Sequence, residues 1–358
     1  MTPSTSTAPA GSLAPARRAA LHRALTRLPR WETVRADELE PMRVKGLVHD
    51  HVRVRGRGVL LRVPRLSQMD LPPAENLAYQ AACFDRAGAG GHVPRLRGVL
   101  PPADALPFGA LLVDEIAGRP ARLPADLPAL AAALAAIHAL PLPPPDRRPP
   151  LASPDDPVAA TLAVIERQAA YLADAEAPAE TTAQLNEELA WARGFAARSA
   201  AEPQPVALVA TDTHPGNFLV EESGRAVFVD LEKAMYGAPG IDLAHCTLYS
   251  STSWERETAA VLTPNDVRAF YAAWLAHVPA LLADAARPSL LALRRLTWLR
   301  TMSWCVRWRA EMGARAAEAG AAESHAYAAG RIAHFFDPET MRAMRGEWLG
   351  PDRLDLDL

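Results

Sequence analysis

The stretch Thr211–Ala234, "TDTHPGNFLVEESGRAVFVDLEKA", holds a carboxylate at Asp212, an amide at Asn217 and a second carboxylate at Asp230, set among apolar runs. "NFLVE" (217–221) and "AVFVD" (226–230) read as two strands joined by the turn residues Ser223 and Gly224, with a third strand, "VALVA" (206–210), just before them. Asp212 lies just past one strand and Asn217 opens the next, and Pro215 stiffens the short loop between. Asp230 ends the strand that pairs with that of Asn217, so the hairpin carries all three side chains to one edge. Oxygen donors grouped in this way suit a hard cation. Magnesium takes one or two protein oxygens plus substrate phosphates, and phosphoryl transfer also needs a carboxylate to accept the acceptor's proton. The Asp-x-x-x-x-Asn spacing alone arises by chance about once in a chain of this size. The competing reading makes Asp212 and Asn217 turn residues and Asp230 a cap. The flanking strands and the second Asp give the metal reading its weight.

Outward from this stretch the chain changes character twice. Residues 1–15 are small and polar and cannot order themselves. A short helix at about 16–28 follows, and Met42–Arg65 alternates apolar with polar residues around "RGRG", the pattern of a β-hairpin. Residues 73–88 read as a helix, and "GVL" (98–100) and "GALLVDEI" (109–116) as strands. Beyond Gly118 the pattern is helical, with Asp126 as the expected N-cap of a helix to about Ala139, further helices at 157–174 and 179–198, and mostly helix from Asp242 to Ala343. The expected fold class is α+β. A small β-rich N-lobe spans residues 16–116 and a larger helical C-lobe containing a β-hairpin spans 117–348, between a flexible tail at 1–15 and a C-terminal tail at 349–358.

The net charge of −3 supplies no field for a polyanion, so no nucleic-acid partner is expected. The longest apolar run, Leu127–Leu142, is interrupted by His138 and prolines and is too short to span a bilayer, so no membrane partner is expected either. The 3 cysteines, Cys83, Cys246 and Cys305, stand far apart and form no disulfide or zinc pattern. Together with the charges His22, Arg23 and Arg27, which break any secretory apolar segment after Arg17 and Arg18, they point to the cytoplasm. No Gly-Lys-Ser/Thr loop exists, "GAGGHV" (88–93) lacks the third glycine of a dinucleotide turn, and no Gly-x-Ser-x-Gly elbow is present.

The segments "DTHPGNFLV", "VFVDLEKA" and "GAPGIDLAH" resemble the aminoglycoside phosphotransferase and choline kinase family, the small-molecule branch of the protein-kinase-like fold, across residues 40–250. The resemblance implies ATP as phosphoryl donor, Mg, and a small-molecule acceptor bearing a hydroxyl. By the same likeness Asp212 is the catalytic base, Asn217 and Asp230 are the metal ligands, Asp242 holds the catalytic loop, and His214 packs within it. On the nucleotide side it implies Arg62, in "GVLLRVPR", at the strand position of the usual lysine, paired with Glu75. Gly46 falls in the phosphate-covering turn "VKGLVHD", and the backbone of Asp114, Glu115 and Ile116 meets adenine. The chain departs from the pattern at Ala210 and Thr211, where the family usually shows His and Gly, and at Arg62, since Lys45 and Lys233 are the only lysines. These departures motivate an alternative, a kinase-like binding or scaffold protein without turnover. A protein kinase is disfavoured because "VDLE" stands in place of Asp-Phe-Gly.

Two features bear on the acceptor. Residues 153–192 carry Asp155, Asp156, Glu166, Asp174, Glu176, Glu180, Glu187 and Glu188 against Arg167 alone. They form either a lining for a cationic amino sugar or amino alcohol, or a solvated helix face. Trp298, Trp304 and Trp308 recur at helical spacing and either cage a quaternary ammonium or pack in a core.

Overall fold

The structure is a computed structural model that describes residues 13–42, 48–315 and 323–358. The chain divides into two compact units, Met1–Ala117 with Leu231–Lys233, and Gly118–Asp230 with Ala234–Leu358.

The first unit contains helix α1 (Pro15–Leu25), strands β1 (Leu39–Pro41), β2 (His49–Val54) and β3 (Val59–Pro64), helix α2 (Pro73–Gly88), and strands β4 (Leu96–Leu100) and β5 (Ala110–Asp114). The five strands form one antiparallel sheet in the order β1-β2-β3-β5-β4. Alternation along the strands sorts its two faces. Val52 and Val54 of β2, Val59, Leu61 and Val63 of β3, and Ala110 and Leu112 of β5 share a core with Ala20, Leu21 and Leu25 of α1. Asp50, on that face, pairs with Arg17 of α1. The other face of the hairpin is basic, with His49, His51 and Arg53 on β2 and Arg62 on β3, where His51 lies opposite Arg62. The sharp β2–β3 turn is made by Gly56 and Gly58 at φ 73 and 65, a region glycine enters at no steric cost.

The second unit contains β6 (Gly118–Pro120), α3 (Leu127–His138), α4 (Pro157–Ala169), α5 (Ala179–Ser199), β7 (Ala207–Val209), β8 (Phe218–Glu221), β9 (Ala226–Phe228), β10 (Met235–Gly237), α6 (Gly240–Thr247), α7 (Tyr249–Thr252), α8 (Pro264–His277), α9 (Ala280–Ala286), α10 (Leu290–Arg315), α11 (Glu323–Phe335) and α12 (Pro338–Arg345). Its core gathers around α10, whose Leu293, Leu296, Trp298, Leu299 and Met302 pack with Val158 and Ile165 of α4, Leu185 and Leu189 of α5, and Ile241 and Ala244 of α6. Capping explains where several helices begin. Asp156 accepts from the N–H groups of Val158 and Ala159 ahead of Pro157, and Thr263 and Asp266 form a reciprocal capping box around Pro264. Asp126 stands at the N-cap of α3, yet its carboxylate does not cap; it accepts instead from Arg119 at 2.6 and 3.0 Å and from the Arg122 N–H at 2.6 Å. A guanidinium gives a carboxylate two charge-assisted bonds, which outcompetes a single helix N–H.

The fold class read from the sequence is the one observed, a β-rich first unit and a helical second unit with strands inside it. Three short strands were not anticipated. β6 adds to the β8–β9 hairpin to make a three-stranded sheet, β10 pairs with β7, and β1 edges the first sheet. Each has three residues, too few for a periodic pattern to show. Residues 349–358 do not trail away as a tail, since Leu354 and Leu356 are buried and the Leu354 N–H donates to the Glu347 carbonyl. No helix among the described residues is long and apolar enough to cross a membrane. Cys83, Cys246 and Cys305 are buried and form no disulfide, and burial pushes the Cys246 and Cys305 thiols far up, away from reactivity.

Candidate active site

In the second unit the β8–β9 hairpin is pinned by the pair Phe218–Phe228. Just beyond that pair the Val229 N–H donates to the Asn217 carbonyl at 2.9 Å, which sets Asn217 and the neighbouring Asp230 at one end of the hairpin. The Asn217 amide donates from Nδ2 to the backbone carbonyl of Asp212 at 2.8 Å, tying the loop that carries Asp212 to the same end. With its nitrogen so engaged, the Asn217 side chain presents Oδ1 as its remaining polar atom. An amide oxygen and the Asp230 carboxylate are the hard donors magnesium takes, so the residues fit that ion. The Asp212 side chain is 29% exposed, accessible to an acceptor without being fully hydrated.

The segment before Asp212 is held from below by a buried carboxylate. Asp242, fully buried on α6, accepts from the N–H groups of Ala210 and Thr211, both at 2.7 Å, and the Thr213 hydroxyl donates to the Asp242 carbonyl at 2.7 Å. His138 of α3 joins the same carboxylate through Nε2 at 3.1 Å, while its Nδ1 accepts from the Trp274 indole N–H at 3.0 Å. Because an indole can only donate, Nδ1 carries no proton and the ring's hydrogen sits on Nε2, facing Asp242. The sequence reading of Asp242 as a loop-holding residue matches this geometry, whereas His138 had been noted only as a break in an apolar run.

Thr211 has φ 64, the left-handed region. That conformation explains why the family pattern carries glycine here, for a β-branched residue is strained in it by roughly 1–2 kcal/mol. The strain is held by contacts from both sides: Asp242 fixes the Thr211 N–H, and the Arg300 guanidinium of α10 donates from Nη1 to the Thr211 carbonyl at 3.0 Å. The imidazole missing at Ala210 is thus offset by groups from α3, α6 and α10.

Two residues in this site were not singled out from the sequence. His245, one helical turn after Asp242 on α6, brings Nδ1 to 3.9 Å from Asp212 Oδ1 and its ring to 6.2 Å from that of His214. Burial pushes the His245 imidazole down to about 4, against an opposing pull from the Asp212 charge, so a neutral ring lies beside the carboxylate at neutral pH. The signal was present in "GIDLAH", where the i, i+3 spacing puts Asp242 and His245 on one helix face. Arg300 gave no signal in a chain whose strong bases are almost all arginine.

A pH dependence follows. The folded value of about 4 lies below the unfolded value of about 6.5, so the unfolded chain takes up the proton first. The stability contributed by neutral His245 is complete above pH 6.5 and is lost as pH falls toward 4, in total about 3 kcal/mol. Urea denaturation of wild type and His245→Gln between pH 7 and 4 is expected to show a shallower decline in the variant; parallel declines would exclude the group.

In the first unit Arg62 is buried with its guanidinium over the Phe84 ring of α2, 5.4 Å from the centroid. Glu75 lies exposed in the first turn of α2, and no ion pair joins it to Arg62 among the described residues. The expected pairing is therefore corrected. The sheet-facing positions of α2 include Asn76, Gln80 and Phe84, and Gln80 Oε1 accepts a hydrogen bond from His49 Nε2 at 3.2 Å. The other nitrogen of His49 lies 3.3 Å from Glu232, which also accepts from Gln68 at 2.6 Å. At the end of β5 the side chains of Asp114 and Glu115 are held by Arg97 and Arg53, each at 2.5 Å, and the Glu115 N–H donates to the Gly58 carbonyl. The Ile116 N–H makes no backbone bond among the described residues. Gly46 and Lys45 lie outside the described residues.

The acidic stretch is not a free lining. Glu188 is fully buried against Arg295 at 2.6 Å and Arg345 at 2.7 Å, Glu187 pairs with Arg345, Glu180 with Arg342, and Glu166 with Arg193. Nor do the three tryptophans form a cage. Trp298 is buried against Trp348 at 5.2 Å and Trp308 packs on the core, while Trp304 is 36% exposed and meets Trp254 edge-on at 5.6 Å.

These elements define a protein-kinase-like fold. The chain belongs to the phosphotransferase enzyme family (APH), whose model matches residues 44–277, and it is a small-molecule kinase of the class the sequence indicated. Among solved structures it is similar to a choline/ethanolamine kinase family protein from Mesorhizobium loti, at 19% identity and a TM-score of 0.57 over 93% of this chain and 100% of that one. It is also similar to an ethanolamine kinase from Plasmodium vivax, at 11% identity and 0.59 over 91% and 89%. A third likeness, at 13% identity and 0.56 over 91% and 98%, is to a putative aminoglycoside phosphotransferase from Ralstonia eutropha. No match was found among curated proteins.

Proposed function

We propose that the protein transfers the γ-phosphoryl group of ATP, with Mg, to a hydroxyl of a small molecule in the cytoplasm. The observation that carries this reading is the loop itself. Asp212 follows a residue locked by Asp242 and Arg300, and its own carbonyl is locked by Asn217, so the backbone that carries its carboxylate is fixed before any ligand arrives. Phosphoryl transfer depends chiefly on such positioning and on charge neutralisation. Asp212 orients the acceptor hydroxyl and takes its proton. The neutral His245 beside it does not compete as a cation for that carboxylate. Asn217 and Asp230 hold the magnesium, which when bound neutralises the phosphate oxygens. In the first unit the basic face of β2 and β3, centred on Arg62, takes the nucleotide phosphates, and the free Ile116 N–H with the adjoining Asp114–Glu115 backbone takes the adenine.

A coupled assay of ADP release with Mg-ATP and a panel of small alcohols tests the reading. Acceptor-dependent ADP release is expected, together with a nucleotide-dependent rise in melting temperature. A rise without release under any acceptor supports the binding or scaffold alternative. No rise at all rejects both.

A further inference from the structure

Resting on the phosphotransferase reading, we propose that the acceptor alcohol carries an anionic group close to its reacting hydroxyl, and that Arg300 receives it. Three observations carry this. First, the guanidinium is anchored by a single bond, Nη1 to the Thr211 carbonyl, in the residue directly preceding Asp212. The remaining N–H groups of Arg300 have no acceptor among the described residues, and the side chain is only partly buried. Elsewhere on the same helix arginines are consumed: Arg294 by Glu347 and Thr247, Arg295 by Glu188. Second, the sign of the charge matters at this distance. Arg300 is near enough to Asp212 for that carboxylate to pull against the burial that lowers its pKa, and near enough to His245 to disfavour a second proton there. An ammonium on the acceptor beside its hydroxyl would meet this fixed cation, whereas a carboxylate or phosphate would gain charge-assisted bonds from a planar fork already held in place. Third, no carboxylate among the described residues bonds this guanidinium. Asp242, whose charge also acts on it, gives its carboxylate oxygens to backbone N–H groups and to His138. Arg300 is thus a cation that acts on both Asp212 and His245 with N–H groups to spare.

The test uses acceptors that differ in one group: serine against ethanolamine, homoserine against 3-amino-1-propanol, and glycerol against both glycerate and glycerol 3-phosphate. The last set separates a carboxylate from a phosphate. The kcat/KM of wild type is expected to favour the anionic member of at least one set by about ten-fold or more, as for a hydrogen bond to a charged group. In Arg300→Gln, which keeps a donor for the Thr211 carbonyl, the ratio is expected to fall toward one through KM, and Arg300→Lys is expected to keep most of it. The assignment is overturned if neutral or cationic members are preferred, or if no anionic member is turned over by a protein that binds Mg-ATP. It is also overturned if Arg300→Gln lowers kcat equally for both members of a pair, which would place the guanidinium on the transferred phosphoryl group instead. ADP release with any acceptor, read beside the Mg-ATP thermal shift, distinguishes these failures from failure of the phosphotransferase reading: release with neutral or cationic acceptors overturns the assignment alone, whereas a shift without any release overturns the phosphotransferase reading as well.

Discussion

Asp212→Asn is expected to lower kcat by about 10³-fold while leaving Mg-ATP binding near the wild-type level, within the range that a positioned general base contributes. The substitution changes one atom and keeps the side chain's shape. The contacts that fix this loop use the backbone on both sides of Asp212: its carbonyl receives the Asn217 amide, and the two preceding N–H groups go to Asp242. None of these bonds uses the carboxylate, so the loop should stay in place when the charge is removed. What disappears is the proton acceptor. Stopped-flow or coupled measurement of ADP release, beside nucleotide-induced thermal shift, reads the two quantities separately. A variant retaining a tenth or more of wild-type kcat would show that Asp212 is not the base, and one that has lost nucleotide binding would show that the carboxylate belongs to the metal site instead.

The sequence disclosed the parts of this site that chain neighbours determine. The positions of Asp212, Asn217 and Asp230 were legible because each sits at a fixed offset from a strand, and a short loop, Glu222-Ser223-Gly224, with Gly224 at φ 84, makes the pairing register a local matter. Arg62 could be placed on its strand by alternation, and its burial on the basic face follows from that placement. Its partner could not be found in this way. Glu75 was chosen as a carboxylate early on α2, but which residues of a helix face a sheet depends on rotation about the helix axis, and that is set by packing of Leu77, Cys83 and Phe84. Long-range pairs were equally hidden. Glu188 meets Arg295 and Arg345, residues far along the chain, and nothing in the excess of acids between 153 and 192 reveals that the neutralising arginines lie on α10 and α12. A charge excess counted along the sequence therefore says little about the field at a site until the fold has matched each charge with its partner.

The same dependence on distant partners makes Asp242 the most consequential structural residue of the second unit. Its carboxylate is fully buried and accepts from Ala210 N–H, Thr211 N–H and His138 Nε2. Asp242→Ala leaves these donors in a dry interior with no acceptor, and each orphaned group costs about 1–3 kcal/mol, so a loss of about 4 kcal/mol is expected. Thr211 adds to the effect on activity. A non-glycine residue at φ 64 persists only where its surroundings over-determine it, and with Asp242 gone the N–H opposite the Arg300-bonded carbonyl loses its acceptor. The loop should relax to an unstrained conformation and carry Asp212 out of register, lowering kcat/KM by about a hundred-fold or more, as misplacement of a reacting group does. Asp242→Asn separates the two causes: it keeps the volume but sets an amide N–H₂ against donors, so it should lose nearly as much stability as the alanine variant if hydrogen bonding, rather than packing, dominates. Urea denaturation followed by tryptophan fluorescence suits the measurement, because Trp274 donates to His138 and so reports on the chain of bonds that ends at Asp242. Wild-type stability in Asp242→Ala would mean that the loop is held by its flanking strands alone, and the account of Thr211 given by Asp242 and Arg300 would then be wrong.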